Sequence, residues 1–414
     1  MLSSVAPFID LFLRGFVMTT TKNNYLYGLI AFVVMIVINF ALWRLFFAPT
    51  NGVFKLFTPM YGFSLVACYF YSVILVADIF GYKNETGNLG KGVGALIGSI
   101  AVFYLIYYVF FWNILGKFGV TYFSPQALIA TGGTGLEIWN ARENSSLAIL
   151  YVVTALIWVS VIWNAGFGDS PWDGLKQATI GFSKFFATAF ISIIFYAIFF
   201  HPNVTSLFLP KQIFAGVDPW WADTAMTASS FYHLGWMFAG LFLIMFLVDC
   251  VDGFPFNLFN KEESSGSWIG GLVALVVAVV GGYIFMYIAE AIMNYFWYEP
   301  FTGGNYTDDP RFRHLHVAEI AAFFMLALLI VKVFFNNVFQ PGNKWLAAGV
   351  RFIVVVVVGL GIYRFYYCET LGPKFVDRVP GVGNIDDTSL CWTIMSLALI
   401  MVYDKFFKAS LFGK

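Results

Sequence analysis

The stretch YSVILVADIF, residues 71–80, is an apolar run that closes with an acid, Asp78, two residues before an aromatic, Phe80. Four later apolar runs close in the same way, with Asp or Asn two or three residues before Phe. A pattern that returns at the end of every second apolar segment predicts five similar units in series. The later endings are Asn164-Ala-Gly-Phe167, Asp252-Gly-Phe254, Asn337-Val-Phe339 and Asp404-Lys-Phe406.

The composition predicts that lipid surrounds most of the chain. Of the 414 residues, 60% are hydrophobic and 11% are charged, which is more apolar surface than a soluble core can bury. The 23 basic and 23 acidic residues cancel, so no nucleic-acid partner is expected. No GxxxxGK[ST] loop occurs, and we expect no nucleotide. The bilayer is therefore the first predicted partner.

Ten segments have the length of a membrane span, which needs roughly 20 apolar residues. We expect an all-α polytopic membrane protein whose transmembrane helices form five similar hairpins, arranged as parallel repeats. Both chain ends then lie on one side of the membrane, called here the terminal side, and the hairpin tips lie on the other. The segments are about 25–48, 59–80, 92–115, 145–165, 178–200, 228–250, 268–297, 314–336, 345–367 and 388–407.

The expected boundaries divide one membrane domain into an interfacial segment and five hairpins. The segment is 1–22, and the hairpins are 23–82, 83–168, 169–260, 261–340 and 341–414. Of the 23 Lys and Arg residues, 13 fall on the terminal side and 10 on the tip side. By the positive-inside rule this split favours cytoplasmic termini, with the tips on the opposite side.

Ionisable residues near the spans are expected mainly on the tip side, with few at mid-depth. This distribution disfavours an ion-coupled transporter, because ion and proton paths usually need polar groups inside the membrane. Glu290 is flanked by apolar residues on both sides. We expect it to form a buried charge pair with Arg364 or Arg44, or to stay protonated.

The densest group of metal-ligand residue types leads into the eighth span. His316 and Glu319 are three residues apart, so they share one helix face, and His233 has nearly the same depth in the third hairpin. Imidazole and carboxylate ligands suit zinc, copper or iron, so one transition metal ion is a candidate cofactor. His314 joins only if the helix begins after it. The alternative is that the histidines hydrogen-bond to the backbone at the start of the helix or to a neighbouring acid.

Two connectors carry further candidate sites. Asp218, Trp220, Trp221 and Asp223 place acids beside an aromatic platform in the third tip, which suits a partner or a cation. The alternative is an interfacial belt with solvated acids. Cys368 and Cys391 flank one connector, and a disulfide between them is allowed if that connector faces an oxidising compartment.

Three functions fit these residues. The first is a mainly structural or accessory subunit of a larger membrane complex, in contact with other membrane subunits or with a second copy of this chain. The second is a metal-dependent membrane enzyme, or its metal-bearing subunit, with the His and Glu site at the outer interface. The third is a channel or permease for a neutral solute, because such a path needs no buried charge.

Overall fold

The structure, a computed structural model, describes residues 22–49, 51–54, 59–131, 137–201, 230–260, 266–296, 310–335, 343–368, 370–377 and 388–411. The candidate platform of Asp218, Trp220, Trp221 and Asp223 lies outside these ranges, as does the Asn337 ending. The interfacial segment 1–22 also lies outside them, apart from its last residue. Throughout the described ranges, all regular secondary structure is helical.

Ten of the helices in the described ranges are long and apolar enough to cross a bilayer, which confirms the prediction of an all-α, multi-pass membrane protein. If each of these helices crosses the bilayer, consecutive helices run antiparallel. Numbered in chain order, they are α1 Leu26–Phe47, α2 Met60–Ile79, α3 Leu89–Phe118, α4 Ile138–Phe167, α5 Gln177–Phe199, α6 Tyr232–Val251, α7 Trp268–Met293, α8 His314–Phe335, α9 Lys344–Tyr367 and α10 Ser389–Ser410.

Burial alternates along the chain. In the most apolar part of each even-numbered helix, 67–89% of the residues are buried inside the protein, whereas the figure for each odd-numbered helix is 17–22%. The exposed residues of the odd-numbered helices are large and apolar, such as Phe186, Phe190 and Ile353. These surfaces suit lipid acyl chains. We call the even-numbered helices inner and the odd-numbered helices outer.

The five inner helices form a closed ring. Their contacts run from α2 to α4, α6, α8 and α10, and α10 packs back against α2. Because one outer helix separates each consecutive pair of inner helices in the chain, all five inner helices run in the same direction. Their carboxyl ends therefore meet on the terminal side, where the partial negative charge of the helix ends favours nearby cations.

Each outer helix packs in the groove between the two inner helices that precede it around the ring. Helix α3 contacts α2 and α10, α5 contacts α4 and α2, α7 contacts α6 and α4, and α9 contacts α8 and α6. Helix α1 completes the pattern against α10 and α8, where Asn39 donates to Ser396 and accepts from Trp392. The main packing partner of each outer helix is thus one of these preceding inner helices rather than the inner helix that follows it in the chain. The hairpin boundaries stay a prediction.

Small residues allow α6 and α7 to approach closely. A Cβ atom on Gly240 would lie 2.3 Å from the carbonyl oxygen of Ala278, and one on Gly282 would lie 2.4 Å from that of Trp236. Ala278 and Gly282 are four residues apart, so they lie on one face of α7. This is the small-xxx-small arrangement that lets membrane helices pack backbone against backbone.

The recurring Asp or Asn endings coincide with a break in regular α-helix. Helices α2 and α4 end in π-helical turns, Leu75–Ile79 and Trp163–Phe167, and α10 contains one, Tyr403–Phe407, shortly before its end. A π turn takes one more residue than an α turn and so changes the direction in which later side chains point. Asp78, Asn164 and Asp404 lie within these three turns.

Candidate functional site: a charged cavity inside the helix ring

A cavity of about 630 Å³ lies at the terminal-side end of the inner ring. All five inner helices contribute to its wall, and the connectors after α2 and α4 form part of its mouth. The cavity reaches about half the length of the spans, to Phe70 on α2 and Ile400 on α10. Its volume lies within the range of roughly 300–1,000 Å³ that is usual for sites of small molecules.

The inner end of this cavity is apolar and the mouth is charged. Ile74, Ile244 and Leu329 line the inner end. The mouth and its wall carry five acidic and four basic side chains, so charges of both signs are nearly balanced there. These are Asp78, Glu85, Asp169, Asp249 and Asp404, with Lys83, Lys184, Lys332 and Lys405.

Ion pairs across the seams between helices hold most of these charges. Lys332 Nζ on α8 lies 2.5 Å from Asp249 Oδ1 on α6. Lys405 Nζ on α10 lies 3.7 Å from Asp78 Oδ1 on α2 and 3.8 Å from Asp404 Oδ2. These lysines lie near the carboxyl ends of parallel helices, where helix dipoles also favour cations.

A third ion pair connects an outer helix to the cavity wall. Lys184, on α5, is buried, and its Nζ atom lies 3.1 Å from Oδ1 of Asp169 in the connector after α4. A buried lysine on a lipid-facing helix would be costly unless it were directed inward and paired. The pair therefore extends the charged wall around the α4 side of the ring.

The recurring endings supply part of this wall. Asp78, Asn164 and Asp404 all line the cavity. Each of the three lies in the π turn of its own helix, α2, α4 or α10. The third ending departs from this pattern, because Asp252 is exposed and pairs with Lys344 at 3.3 Å. Asp249, three residues earlier, is the acid of α6 that faces the cavity.

The charged cavity corrects the expectation that ionisable groups lie mainly on the tip side. Asp249 and Lys332 belong to the membrane helices α6 and α8, and they are on the terminal side. The sequence placed both near helix ends and so gave them no role. The signal that could have located them is the recurring Asp or Asn, because it marks the end of each second apolar segment, and Asp249 and Lys332 lie within one or two turns of it.

On the tip side, a buried carboxylate connects three helices. Glu319 on α8 accepts hydrogen bonds from Ser389 Oγ on α10 at 2.6 Å and from Tyr367 Oη on α9 at 2.8 Å. His316 Nδ1, one turn earlier on α8, lies 2.6 Å from the same carboxylate. We call Glu319, His316, Tyr367 and Ser389 the Glu319 cluster. The structure thus brings two of the candidate metal ligands into direct contact.

The other two candidate histidines form a separate group. His233 Nδ1 accepts a hydrogen bond from Trp236 Nε1 at 3.0 Å, and His314 Nε2 lies 2.9 Å from Glu290 Oε1. The ring of Tyr232 packs against both imidazoles. Across the residues that the structure describes, no group of three His, Cys, Asp or Glu side chains is arranged to hold a metal ion. A metal site that combines His233, His316 and Glu319 stays a prediction.

The predicted buried charge pair has different neighbours in the structure. Glu290 lies against His314, as described above, whereas Arg44 lies 3.8 Å from Asp377 and donates to the carbonyl of Lys374. Arg364 is exposed. The contacts of Glu290 and Arg44 therefore tie α7 to α8 and α1 to the connector after α9, rather than joining Glu290 to an arginine.

The two candidate disulfide cysteines are thiols in the structure. Cys391 is buried in α10, and Cys368 follows the end of α9, where its sulfur lies 3.1 Å from Thr370 Oγ1. Hydrogen bonds, first that from the Thr370 hydroxyl, lower the pKa of the Cys368 thiol below its ordinary value. Cys368 is thus the more accessible of the two, and its lowered pKa favours the thiolate form.

No protein family, curated protein or solved structure matches this chain.

Proposed function

We propose that the chain is a permease or channel for a small polar solute without net charge, which enters the membrane through the central cavity. The observation that supports this proposal is a cavity walled by all five inner helices and open toward the terminal side. Polar surface inside a membrane protein is costly, and it usually lines the path or site of a polar ligand.

The balance of charge around the cavity favours a solute without net charge. Selective ion paths generally use rings of one sign, which concentrate the opposite ion. Here acids and lysines both line the wall, and most of them pair with each other. A cation or an anion would gain attraction from one member of each pair and repulsion from the other.

Complete passage requires the tip half of the ring to open. That half contains large side chains that are buried completely, including Trp236 on α6 and Phe323 on α8. The ion pairs at the cavity mouth and the Glu319 cluster join inner helices at opposite ends. We propose that these two sets of contacts exchange as the ring opens on one side and closes on the other.

Three expectations accompany this proposal. We propose that the five units are parallel repeats, since inner and outer helices alternate and pack in the same cyclic order. We propose that the termini, and hence the cavity mouth, face the cytoplasm, as the distribution of Lys and Arg favours. We also propose that other membrane subunits or a second copy of this chain contact the outer helices, which purification from the native membrane would identify.

Flux into proteoliposomes tests the function. Purified protein is reconstituted, and the entry of labelled glycerol, alanine, sodium and chloride is compared with that into empty liposomes. We expect entry of at least one of the two uncharged or zwitterionic solutes and little entry of either ion. Entry of none of the four, or of the ions alone, would overturn the proposal.

A pair of matched variants links the flux to the cavity. Met401→Trp places a bulky ring in the cavity wall, whereas Ile353→Trp places the same ring on the exposed face of α9. We expect the first variant to lose most of the flux and the second to keep it. Equal flux in the two variants would mean that the solute takes another path.

A further inference from the structure

The ion pairs of the cavity wall have an unusual position, because they cross helix seams and also border the space that a solute would occupy. Asp249 and Lys332 join α6 to α8, and Asp78 and Lys405 join α2 to α10. All four side chains line the cavity. A solute in the cavity would therefore meet charges that are already engaged with each other.

Each pair has at least one side chain that a solute in the cavity can reach. The side chain of Lys332 is 37% exposed, whereas that of Asp249 is 7% exposed. In the second pair, Lys405 and Asp78 are 23% and 25% exposed. A ligand can approach these pairs from the cavity without first unfolding any helix. Asp249, the more buried member of its pair, belongs to α6.

The chemistry of exchange limits which solutes fit. A lone cation that replaced Lys332 beside Asp249 would separate that lysine from its counter-ion. A lone anion would do the same to the acid. A molecule that carries both charges can contact the acid with its cation and the lysine with its anion, so every charge keeps a partner.

We propose, on the basis of the proposed function, that the solute of this cavity is a zwitterion with an apolar body, whose two charged ends replace the ion pairs between the inner helices. The apolar body would lie against Ile74, Ile244 and Leu329 at the inner end of the cavity. The amides of Asn164 and Gln177, which also line it, can hydrogen-bond to the remaining polar groups of the solute.

The same exchange gives a reason for the helices to move. When the charged ends of the solute bind to Lys332 and Asp249, the direct link between α6 and α8 is released, and the link between α2 and α10 can be released in the same way. Binding energy from the correct solute is thus coupled to loosening of the cavity mouth. A neutral solute of the same size would leave both links intact.

Binding of leucyl-leucine and its capped forms to the purified protein tests the charge requirement. The free dipeptide is a zwitterion, its N-acetyl form an anion, its amide a cation, and the form with both caps is neutral. Isothermal calorimetry should show binding of the zwitterion about tenfold tighter than that of each capped form, which corresponds to about 1.4 kcal/mol for the lost charged end. Equal or tighter binding of any capped form, or no binding of the zwitterion, would overturn the inference.

Variants of the α6–α8 pair connect this preference to named residues. The double variant Asp249→Asn with Lys332→Met removes both charges together. We expect it to bind the zwitterion about as tightly as the capped forms. Asp252→Asn with Lys344→Met removes an ion pair on the same side but outside the cavity, and the preference should persist. If the first double variant does not fold, Asp78→Asn with Lys405→Met replaces it. A zwitterion preference that survives both cavity double variants would contradict the inference.

The two proposals fail in different ways. If the protein binds the zwitterion as expected but no solute enters proteoliposomes, the cavity is a binding site and the transport proposal is wrong. If glycerol enters proteoliposomes while the zwitterion binds no better than its capped forms, transport stands and the solute class is wrong.

Discussion

Lys332 Nζ lies 2.5 Å from Asp249 Oδ1, and this contact joins two neighbouring inner helices at the edge of the cavity. Lys332→Met removes the counter-charge of a carboxylate that is only 7% exposed. We expect the free energy of unfolding to fall by about 2 kcal/mol, less than for a fully buried pair because Lys332 is partly solvated. Chemical unfolding in detergent micelles measures this change.

Adding Asp249→Asn to Lys332→Met should restore most of the stability, because the carboxylate that lost Lys332 is then replaced by a neutral amide. Lys344→Met, which breaks the exposed pair with Asp252, should change stability little. If the single and double variants of the cavity pair are equally unstable, the pair does not act as a charge pair.

The Glu319 cluster should stabilise the tip end of the ring. Tyr367→Phe and Ser389→Ala each remove one donor to a buried carboxylate, and we expect each to cost about 1.5–3 kcal/mol of unfolding free energy. Thermal unfolding followed by tryptophan fluorescence reports the loss. Tyr27→Phe, at an exposed position on α1, is the matched control. Wild-type stability in Tyr367→Phe would show that the bond to Glu319 contributes nothing.

Contact between α6 and α7 depends on the absence of a side chain at Gly240. In Gly240→Ala, the new Cβ would lie 2.3 Å from the carbonyl oxygen of Ala278, so the helices must separate. We expect a loss of about 1–3 kcal/mol, measured by chemical unfolding. Gly349→Ala on α9 has no atom within 4 Å of the new Cβ and should be neutral or slightly stabilising. Equal losses of stability in the two variants would show that the packing of α6 against α7 does not depend on the close approach at Gly240.

Labelling of Cys368 tests both which side of the membrane the tips face and whether this cysteine is a free thiol. A membrane-impermeant maleimide should label intact cells through Cys368, because the other three cysteines are buried and we expect the tips to face outward. Cys368→Ser should abolish the labelling, and Lys344→Cys added to that variant should be labelled only after permeabilisation. Labelling of Cys368 that requires a reductant would instead support the predicted disulfide with Cys391.

The rate of this labelling should depend on pH in a defined direction. Thr370 lowers the pKa of Cys368, so a larger share of the thiol is thiolate at neutral pH, and labelling should slow as the pH falls through that lowered value. Thr370→Val should slow labelling at neutral pH but not at a pH well above the ordinary thiol value. An equal slowing at both pH values would point to access rather than ionisation.

Apolar length alone was enough to predict the ten membrane helices, but not their places in the fold. Helices α1 and α8 have the same mean hydropathy. In the most apolar part of each helix, however, 17% of the residues of α1 and 89% of those of α8 are buried. In water the buried face of a helix is its apolar face, whereas lipid accepts apolar surface as readily as protein does. Hydropathy therefore cannot separate inner helices from outer ones.

The candidate sites were predictable only where local spacing determines contact. His316 and Glu319 are three residues apart on one helix, and their side chains do meet at 2.6 Å. Tyr367 and Ser389, which complete that cluster, come from two other helices and have no local signal in the sequence. The pairs of the cavity wall are similarly distant in the chain, since Asp78 and Lys405 belong to the second and tenth helices.

The packing of α1 against α8 and α10 has a consequence for how the protein is made. Helix α1 leaves the ribosome long before either of these partners, so it is made before the surface that it packs against exists. Its Asn39 can bond to Trp392 and Ser396 only after α10 has been inserted. This contact therefore forms late, when α10 arrives and α1 is recruited to it, and a chain stalled before α10 would leave an open, incomplete ring.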